Sequence, residues 1–424
     1  MEFNTIALHE GYKPDSDTKS RAVPIYMTTA YSFDSTEYAR SLFALEQPGN
    51  IYSRLSNPTC DILEKRVAAL EGGVGALATS SGHAAEFMTM LALASAGDEI
   101  VSSSTLYGGT HNMFVNTLGK LGITVHFVDV SDPENFARAV TDKTRAFFLE
   151  TVGNPNANIA DIRAVADIAH ANGIPLIVDS TMTTPYLIRP FEHGADIVIH
   201  STTKFLCGNG EAMGGLVVDS GKFPFKGNPR FPEYNNPDPS YHGVIFADVP
   251  GGAAFITKLR AHILRDVGAC QSPFNAWLTL NGVETLALRM QRHCENAQAV
   301  AEFLERHPAV ERVNYPGLAS SPYHALCEKY YPHGAGAVFT FEIRGGRAAG
   351  AKFIDGLDLV SRVANLGDSR TLVSHPATTT HSQLSAEELR EGGIGEGTVR
   401  LSVGIEEVGD IIADLSQALD ASQK

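Results

Sequence analysis

The chain has 424 residues, of which 43% are hydrophobic and 19% charged, and a formal net charge of −15. That length predicts two or three domains, and the balance excludes whole-chain disorder. Basic residues are scattered and never run together, which excludes nucleic acid and acidic membrane surfaces as partners, since both need a concentrated positive field.

Five cysteines (Cys60, Cys207, Cys270, Cys294 and Cys327) are odd in number and widely spaced, with no CxxC pair. They read as buried, reduced thiols of a cytoplasmic protein rather than as a disulfide framework. Met1 to Tyr12 lacks an apolar signal region, and no stretch approaches the length of a membrane span.

Residues 1–56 read as an irregular, polar arm carrying Tyr26, Tyr31, Phe33, Tyr38 and Phe43, whose rings need a second surface such as a neighbouring subunit. Asn57-Pro58 then opens a helix with apolar Leu63, Val67 and Leu70, and Gly72-Gly73 stops it. From about residue 74 to 220, short apolar runs alternate with helical stretches. The runs Ala76–Ala78, Glu99–Val101, Val125–Val128, Ala146–Leu149, Pro175–Val178 and Asp196–Ile199 predict buried strands. Stretches 83–95 and 161–172 predict helices, the second capped by Asp161 and stopped at Gly173. This alternation predicts an α/β domain over 57–268 with a mostly parallel sheet covered on both faces. A proline-rich insertion, 221–250, interrupts it. Strand-like runs Val310–Asn314, Ala337–Ile343, Leu359–Val363 and Val399–Val403 mixed with helices predict a smaller α+β domain over 269–424.

Ligands of parallel α/β sheets bind beyond the carboxyl ends of the strands. One predicted strand ends on Asp179, and the next runs through Ser201 and Thr203 to Lys204. That set suits pyridoxal 5′-phosphate (PLP): a lysine to carry the aldehyde as an imine, a carboxylate to keep the pyridine nitrogen protonated, and hydroxyls for the phosphate. Asp179 alone reads equally as a strand-end cap. Ser81-Gly82 lies between a strand and an apolar helix beginning near His83, so backbone amides there face an anion beside the positive helix end, or simply cap the helix. His83 enters through its amide rather than its ring. Tyr107 stands at another strand end, either to stack on the cofactor and assist proton transfer or as a structural ring. Asn154 caps a turn with Pro155 or bonds the cofactor's phenolic oxygen. No GxGxxG follows a strand, no GxxxxGK[ST] occurs, and the fifteen histidines show no tight ligand spacing. A dinucleotide-binding oxidoreductase therefore remains only a distant alternative.

With Ser201-Thr-Thr-Lys204, Asp179, Ser81-Gly82, Tyr52-Ser-Arg54 and Arg400-Leu-Ser-Val-Gly404 together, essentially the whole chain resembles the Cys/Met-metabolism PLP enzymes. The resemblance implies the fold-type I architecture of aspartate aminotransferase-like enzymes and a homotetramer built as a dimer of dimers. It implies that Tyr52 and Arg54 reach the cofactor phosphate of a neighbouring subunit, that Arg400 clamps the substrate carboxylate, and that Asn154 and Asn365 contact substrate. Four stretches (106–110, 237–242, 272–276 and 375–381) resemble the O-acetylhomoserine sulfhydrylase branch, which replaces the acetoxy group of O-acetyl-L-homoserine with sulfide or a thiol and so releases acetate with homocysteine or methionine. Methionine γ-lyases, like cystathionine γ-synthases and lyases a rival branch, typically place cysteine where Gly109 stands and serine where Asn365 stands.

Overall fold

In a computed structural model of the chain, residues 1–153, 157–241, 243–376 and 395–424 are described. Seven strands form the main sheet: β1 (Gly75–Thr79), β2 (Glu99–Ser103), β3 (Thr124–Val128), β4 (Thr144–Glu150), β5 (Leu176–Asp179), β6 (Ile197–His200) and β7 (Gly215–Asp219). Their order is β1-β7-β6-β5-β4-β2-β3. The pairs β3–β2, β2–β4, β4–β5 and β5–β6 are parallel. β7 runs antiparallel to both β6 and β1, so β1 again points the same way as β6. The carboxyl ends of β1, β2, β4, β5 and β6 therefore share one edge.

Strand residues alternate between two cores, as the two-residue repeat of a strand requires. Phe147, Leu149, Leu176, Val178 and Val198 pack on one face, and Ala146, Phe148, Ile177, Ile197 and Ile199 on the other. Both faces are buried, which is why these strands read as continuous apolar runs rather than alternating ones.

The helix Pro58–Glu71 starts as expected, with Asn57 Oδ1 accepting from Thr59 N at 3.0 Å, and ends at Gly72 in the left-handed region. Asp161 caps the helix Ile162–Ala171 by accepting from Ala164 N. The helix expected from His83 begins one residue earlier, as Gly82–Leu93 with Ser81 as its N-cap. Two expectations need correcting. The arm is not wholly irregular, because it holds helices Phe3–His9 and Thr36–Phe43, the first anchored by Phe3 edge-on to Tyr186. Strand β7, inserted antiparallel beside β1, was not anticipated.

The 221–250 insertion is ordered by its aromatics. Phe225 stacks on Tyr234 at 4.1 Å, and Phe231 packs edge-on to both, all buried against the second core. Beyond it lie helices Pro273–Glu284 and Leu286–Arg306 and a second sheet. Its strands are β8 (Val310–Asn314), β9 (Val338–Ile343), β10 (Ser361–Arg362), β11 (Leu372–Ser374) and β12 (Thr398–Ser402), ordered β10-β11-β12-β9-β8. β10 is much shorter than the run expected at 359–363, and β11 is additional. Among the described residues no helix is long and apolar enough to cross a membrane, and no cluster suits a metal ion. All five cysteines are free, four of them buried.

Candidate active site

At the shared carboxyl edge the strands open into a cavity of about 390 Å³. Asp179 and Glu150 end adjacent parallel strands in direct register and form its floor. The stretch after β6 brings Ser201, Thr203 and Lys204 to one side, and the start of the helix Gly82–Leu93 brings Ser81, Gly82 and His83 to another. The second sheet contributes Arg400 from β12, with Asn365 from the segment before β11.

Each placement has a local cause. Thr181 joins two strand ends: its amide donates to Asp179 Oδ1 at 2.8 Å, and its hydroxyl accepts from Ser201 N at 2.8 Å. The helix Gly82–Leu93 can approach Ser201 only because residue 82 lacks a side chain, since a Cβ there would lie 2.8 Å from Ser201 Cβ. The helix's leading amides and the hydroxyls of Ser81 and Ser201 thus surround one small volume beside a positive helix end, which suits a phosphate group. Ser81 Oγ also accepts from Ala84 N as the helix cap. Thr203 lines the cavity as well, and its hydroxyl donates to Gly214 O and accepts from Gly214 N, fastening the lysine segment to the stretch leading into β7.

Lys204 Nζ donates to Asn365 Oδ1 at 2.5 Å. Burial first, then the positive charge of Arg400, lower its pKa from 10.5 to about 8. Arg400 is only 8% exposed, and its Nη2 donates to Asn365 O at 3.4 Å. Tyr107, 49% exposed, sits over the cavity with its ring edge-on to His83 at 5.6 Å, and its amide donates to Glu150 Oε1 at 2.6 Å. That packing requires glycine at 109, where a Cβ would lie 2.6 Å from Tyr107 Cε1 and 2.7 Å from His83 Nε2.

Asp179 is pushed above the ordinary carboxylate range by burial, against the opposing bonds from Thr181. Glu86 and Glu150, both buried, are pushed up further by burial and by the neighbouring carboxylates. A cation at the cavity floor reverses this for Asp179 and holds it ionised.

Tyr52 and Arg54 do not join this cavity within one chain. Arg54 donates to Arg265 O, its guanidinium lies 5.7 Å from the Tyr52 ring centre, and it lines a separate small cleft with Cys60, Glu64 and Arg260. Asn154 lies outside the described residues, as do residue 242 and residues 377–381 of the stretches 237–242 and 375–381. Residues not anticipated from the sequence also line the cavity: Glu86, Glu150, Thr181, Met182 and Met213. A polar helix position that faces inward and a methionine in a loop carry no periodic signal.

The donor set fits PLP: an amine of lowered basicity, a buried carboxylate across from it, a phosphate-sized cradle at a helix start and a buried guanidinium. A model of the Cys/Met metabolism PLP-dependent enzyme family matches residues 4–420. The chain is 55% identical over 424 residues to an O-acetyl-L-homoserine sulfhydrylase of Leptospira meyeri, covering 98% of this chain and 96% of that one. It is 50% identical over 422 residues to a homocysteine synthase of Schizosaccharomyces pombe, covering 99% and 98%. A crystal structure from Campylobacter jejuni, titled as an O-acetylhomoserine (thiol)-lyase with an N′-pyridoxyl-lysine 5′-monophosphate, superposes with a TM-score of 0.96 at 42% identity, covering 99% of this chain and 100% of that one. The mostly parallel sheet with a smaller second sheet is accordingly the fold-type I arrangement of PLP enzymes. The chain belongs to the Cys/Met metabolism family of PLP-dependent enzymes, and PLP is its cofactor.

Proposed function

We propose that the chain catalyses γ-replacement on O-acetyl-L-homoserine: sulfide takes the place of acetate at Cγ and gives L-homocysteine, or a thiol does so and gives the corresponding thioether. The observation that carries this reading is the convergence of Lys204, Asp179 and Arg400 on one cavity in a chain this similar to named sulfhydrylases.

Bound PLP supplies an electron sink for the negative charge that develops at the substrate's Cα. Arg400 holds the substrate carboxylate, fixed in direction by its bond to Asn365 O. Lys204, with a pKa near 8, is neutral often enough at neutral pH to take the Cα proton and is basic enough to return it. Asp179 keeps the negative charge opposite the cofactor's ring nitrogen. Ser81, Gly82, His83 through its amide, Ser201 and Thr203 hold the phosphate, and Thr203 also keeps the lysine segment in place. Tyr107 covers the cavity mouth, where it can lie against the ring and move a proton. Asn154 bonds the cofactor's phenolic oxygen and the substrate, and Asn365 steadies both Lys204 and Arg400. A second proton must leave Cβ for acetate to depart from Cγ; hydrosulfide or the thiolate then bonds to Cγ, and protons return to Cβ and Cα.

The same reading makes residues 57–268 the cofactor domain, with the 221–250 insertion, and residues 269–424 the smaller domain. The arm, 1–56, meets another copy in a homotetramer, where Tyr52 and Arg54 complete the neighbouring site. Exposed Tyr26, Met27, Phe33, Phe43 and Tyr52 support such a contact. The five free cysteines support a reducing, cytoplasmic setting.

Steady-state rates with O-acetyl-, O-succinyl- and O-phosphohomoserine plus sulfide test the reaction through homocysteine formation. The acetyl ester should be the best substrate. Rapid release of 2-oxobutyrate from methionine alone, with slow sulfide incorporation, would make the chain a γ-lyase instead.

A further inference from the structure

Three carboxyl groups meet at the cavity floor, yet the chemistry of the site needs only Asp179. Glu86 comes from the helix Gly82–Leu93 and is 3% exposed; Glu150 and Asp179 are the last residues of β4 and β5. Glu86 and Asp179 both line the cavity, with their carboxyls near enough to act on each other. Two ionised carboxylates have acceptors only, so a hydrogen bond between them requires a hydrogen on one of them.

The surrounding donors decide which. Asp179 Oδ1 receives the Thr181 amide at 2.8 Å, and Glu150 Oε1 receives the Tyr107 amide at 2.6 Å. Backbone amides only donate, and so they favour the anion in both groups. Glu86 has no such amide among the described residues. Its partner is the Thr110 hydroxyl, 2.9 and 3.0 Å from its two oxygens, which serves either protonation state. The cations and titratable groups around this floor are Lys204 and Arg400 across the cavity, His83 and Tyr107 at its rim and His200 at the end of β6. His200 is itself paired with Glu71 at 2.6 Å.

We propose that Glu86 is a standing carboxylic acid that donates its hydrogen to Asp179, and that it acts as a positioning residue which fixes the direction and charge of the carboxylate facing the cofactor nitrogen. The electrostatics agree: burial first, then the charges of Asp179 and Glu150, push Glu86 well above the ordinary carboxylate range, opposed only by the Thr110 hydroxyl. Burial and Asp179 push Glu150 up too, but there the Tyr107 amide opposes the rise. With Glu86 neutral, Asp179 keeps one oxygen for Thr181 and takes a hydrogen from Glu86 on the other side. Its basicity toward the ring nitrogen is thereby moderated without loss of its charge. This inference rests on the PLP reading of the cavity, but the hydrogen on Glu86 belongs to the chain itself.

Infrared spectra of the apoprotein and the holoenzyme, each with Glu86→Gln as control, test the protonation directly. The wild type should show the carbonyl stretch of a buried protonated carboxyl at pH 7 to 8, and Glu86→Gln should lose it. In the holoenzyme, the pH midpoint of the cofactor's visible band should stay in place in Glu86→Gln, which keeps a neutral donor, and move in Glu86→Ala, which has none. Absence of the infrared band in wild type, its persistence in Glu86→Gln, or equal midpoint shifts in both variants would overturn the proposal. A chain that took up no PLP would defeat the reading of the cavity, while the apoprotein spectrum would still decide Glu86.

Discussion

Lys204 Nζ and Asn365 Oδ1 are 2.5 Å apart, so the amine at the end of the main sheet is held by a residue from the segment that feeds the second sheet. Asn365 reaches Arg400 through its backbone oxygen as well, and one residue thereby sets the spacing between the group that moves a proton and the group that binds the substrate carboxylate. Removing its side chain in Asn365→Ala deletes a hydrogen bond to a charged or chargeable partner, worth about 1.5–3 kcal/mol. The expected loss in kcat/KM is about 10- to 100-fold. Steady-state kinetics with the acetyl ester measure it.

The lowered pKa of Lys204 has a defined sign. Its folded value, about 8, lies below the ordinary 10.5, so between those limits the unfolded apoprotein binds more protons than the folded one. Apoprotein stability from this group therefore rises as pH increases from about 8 towards 10.5. Urea midpoints of wild-type apoprotein minus those of Lys204→Met should rise across that window. PLP uptake by the apoprotein should also accelerate as pH rises through about 8, because only the neutral amine reacts with an aldehyde.

Gly109 carries a steric prediction. A cysteine or alanine there must push aside Tyr107 or His83, which stand 2.6 and 2.7 Å from the added Cβ. Crowding of this kind costs about 1–3 kcal/mol. Gly109→Ala should lower Tm and reduce turnover through a displaced Tyr107, while the visible absorbance of bound PLP persists.

Arg400→Lys separates planar, two-point recognition from charge alone. A lysine keeps the charge but loses the fork that pairs with a carboxylate. KM for the amino-acid substrate should rise about 10-fold or more, as expected for losing one charge-assisted hydrogen bond. KM for sulfide should change far less.

The arm provides a test of assembly. Arg54→Ala and Lys204→Ala should each be inactive alone. If Arg54 serves the neighbouring site, subunits mixed one to one should regain about a quarter of wild-type activity, since half the dimers are mixed and each has one intact site. No recovery after verified subunit exchange would place Arg54 outside that site.

The parts of this arrangement legible in the sequence share a physical reason. Asp179 and Lys204 follow apolar runs that become buried strands, so a polar residue ending such a run stands at the sheet edge. Ser81-Gly82 was legible because a strand, a cap and an apolar helix leave one place for a turn. Glu86 was not, since a glutamate in a helix looks like a solvent-facing residue until the helix is packed. Strand β7 escaped because its antiparallel place between β1 and β6 depends on a pairing distant in the chain. The helix Phe3–His9, too short for periodicity to resolve, is held by Phe3 against Tyr186. Arg400 and Asn365 entered through family resemblance, because nothing in their local sequence places them opposite Lys204.

The covalent attachment is the most direct test. Holoenzyme reduced with borohydride, digested and mapped by mass spectrometry should carry a pyridoxyl phosphate adduct on the peptide containing Lys204 and on no other lysine. An adduct on a different lysine, or none on a protein that has taken up the cofactor, would contradict the account.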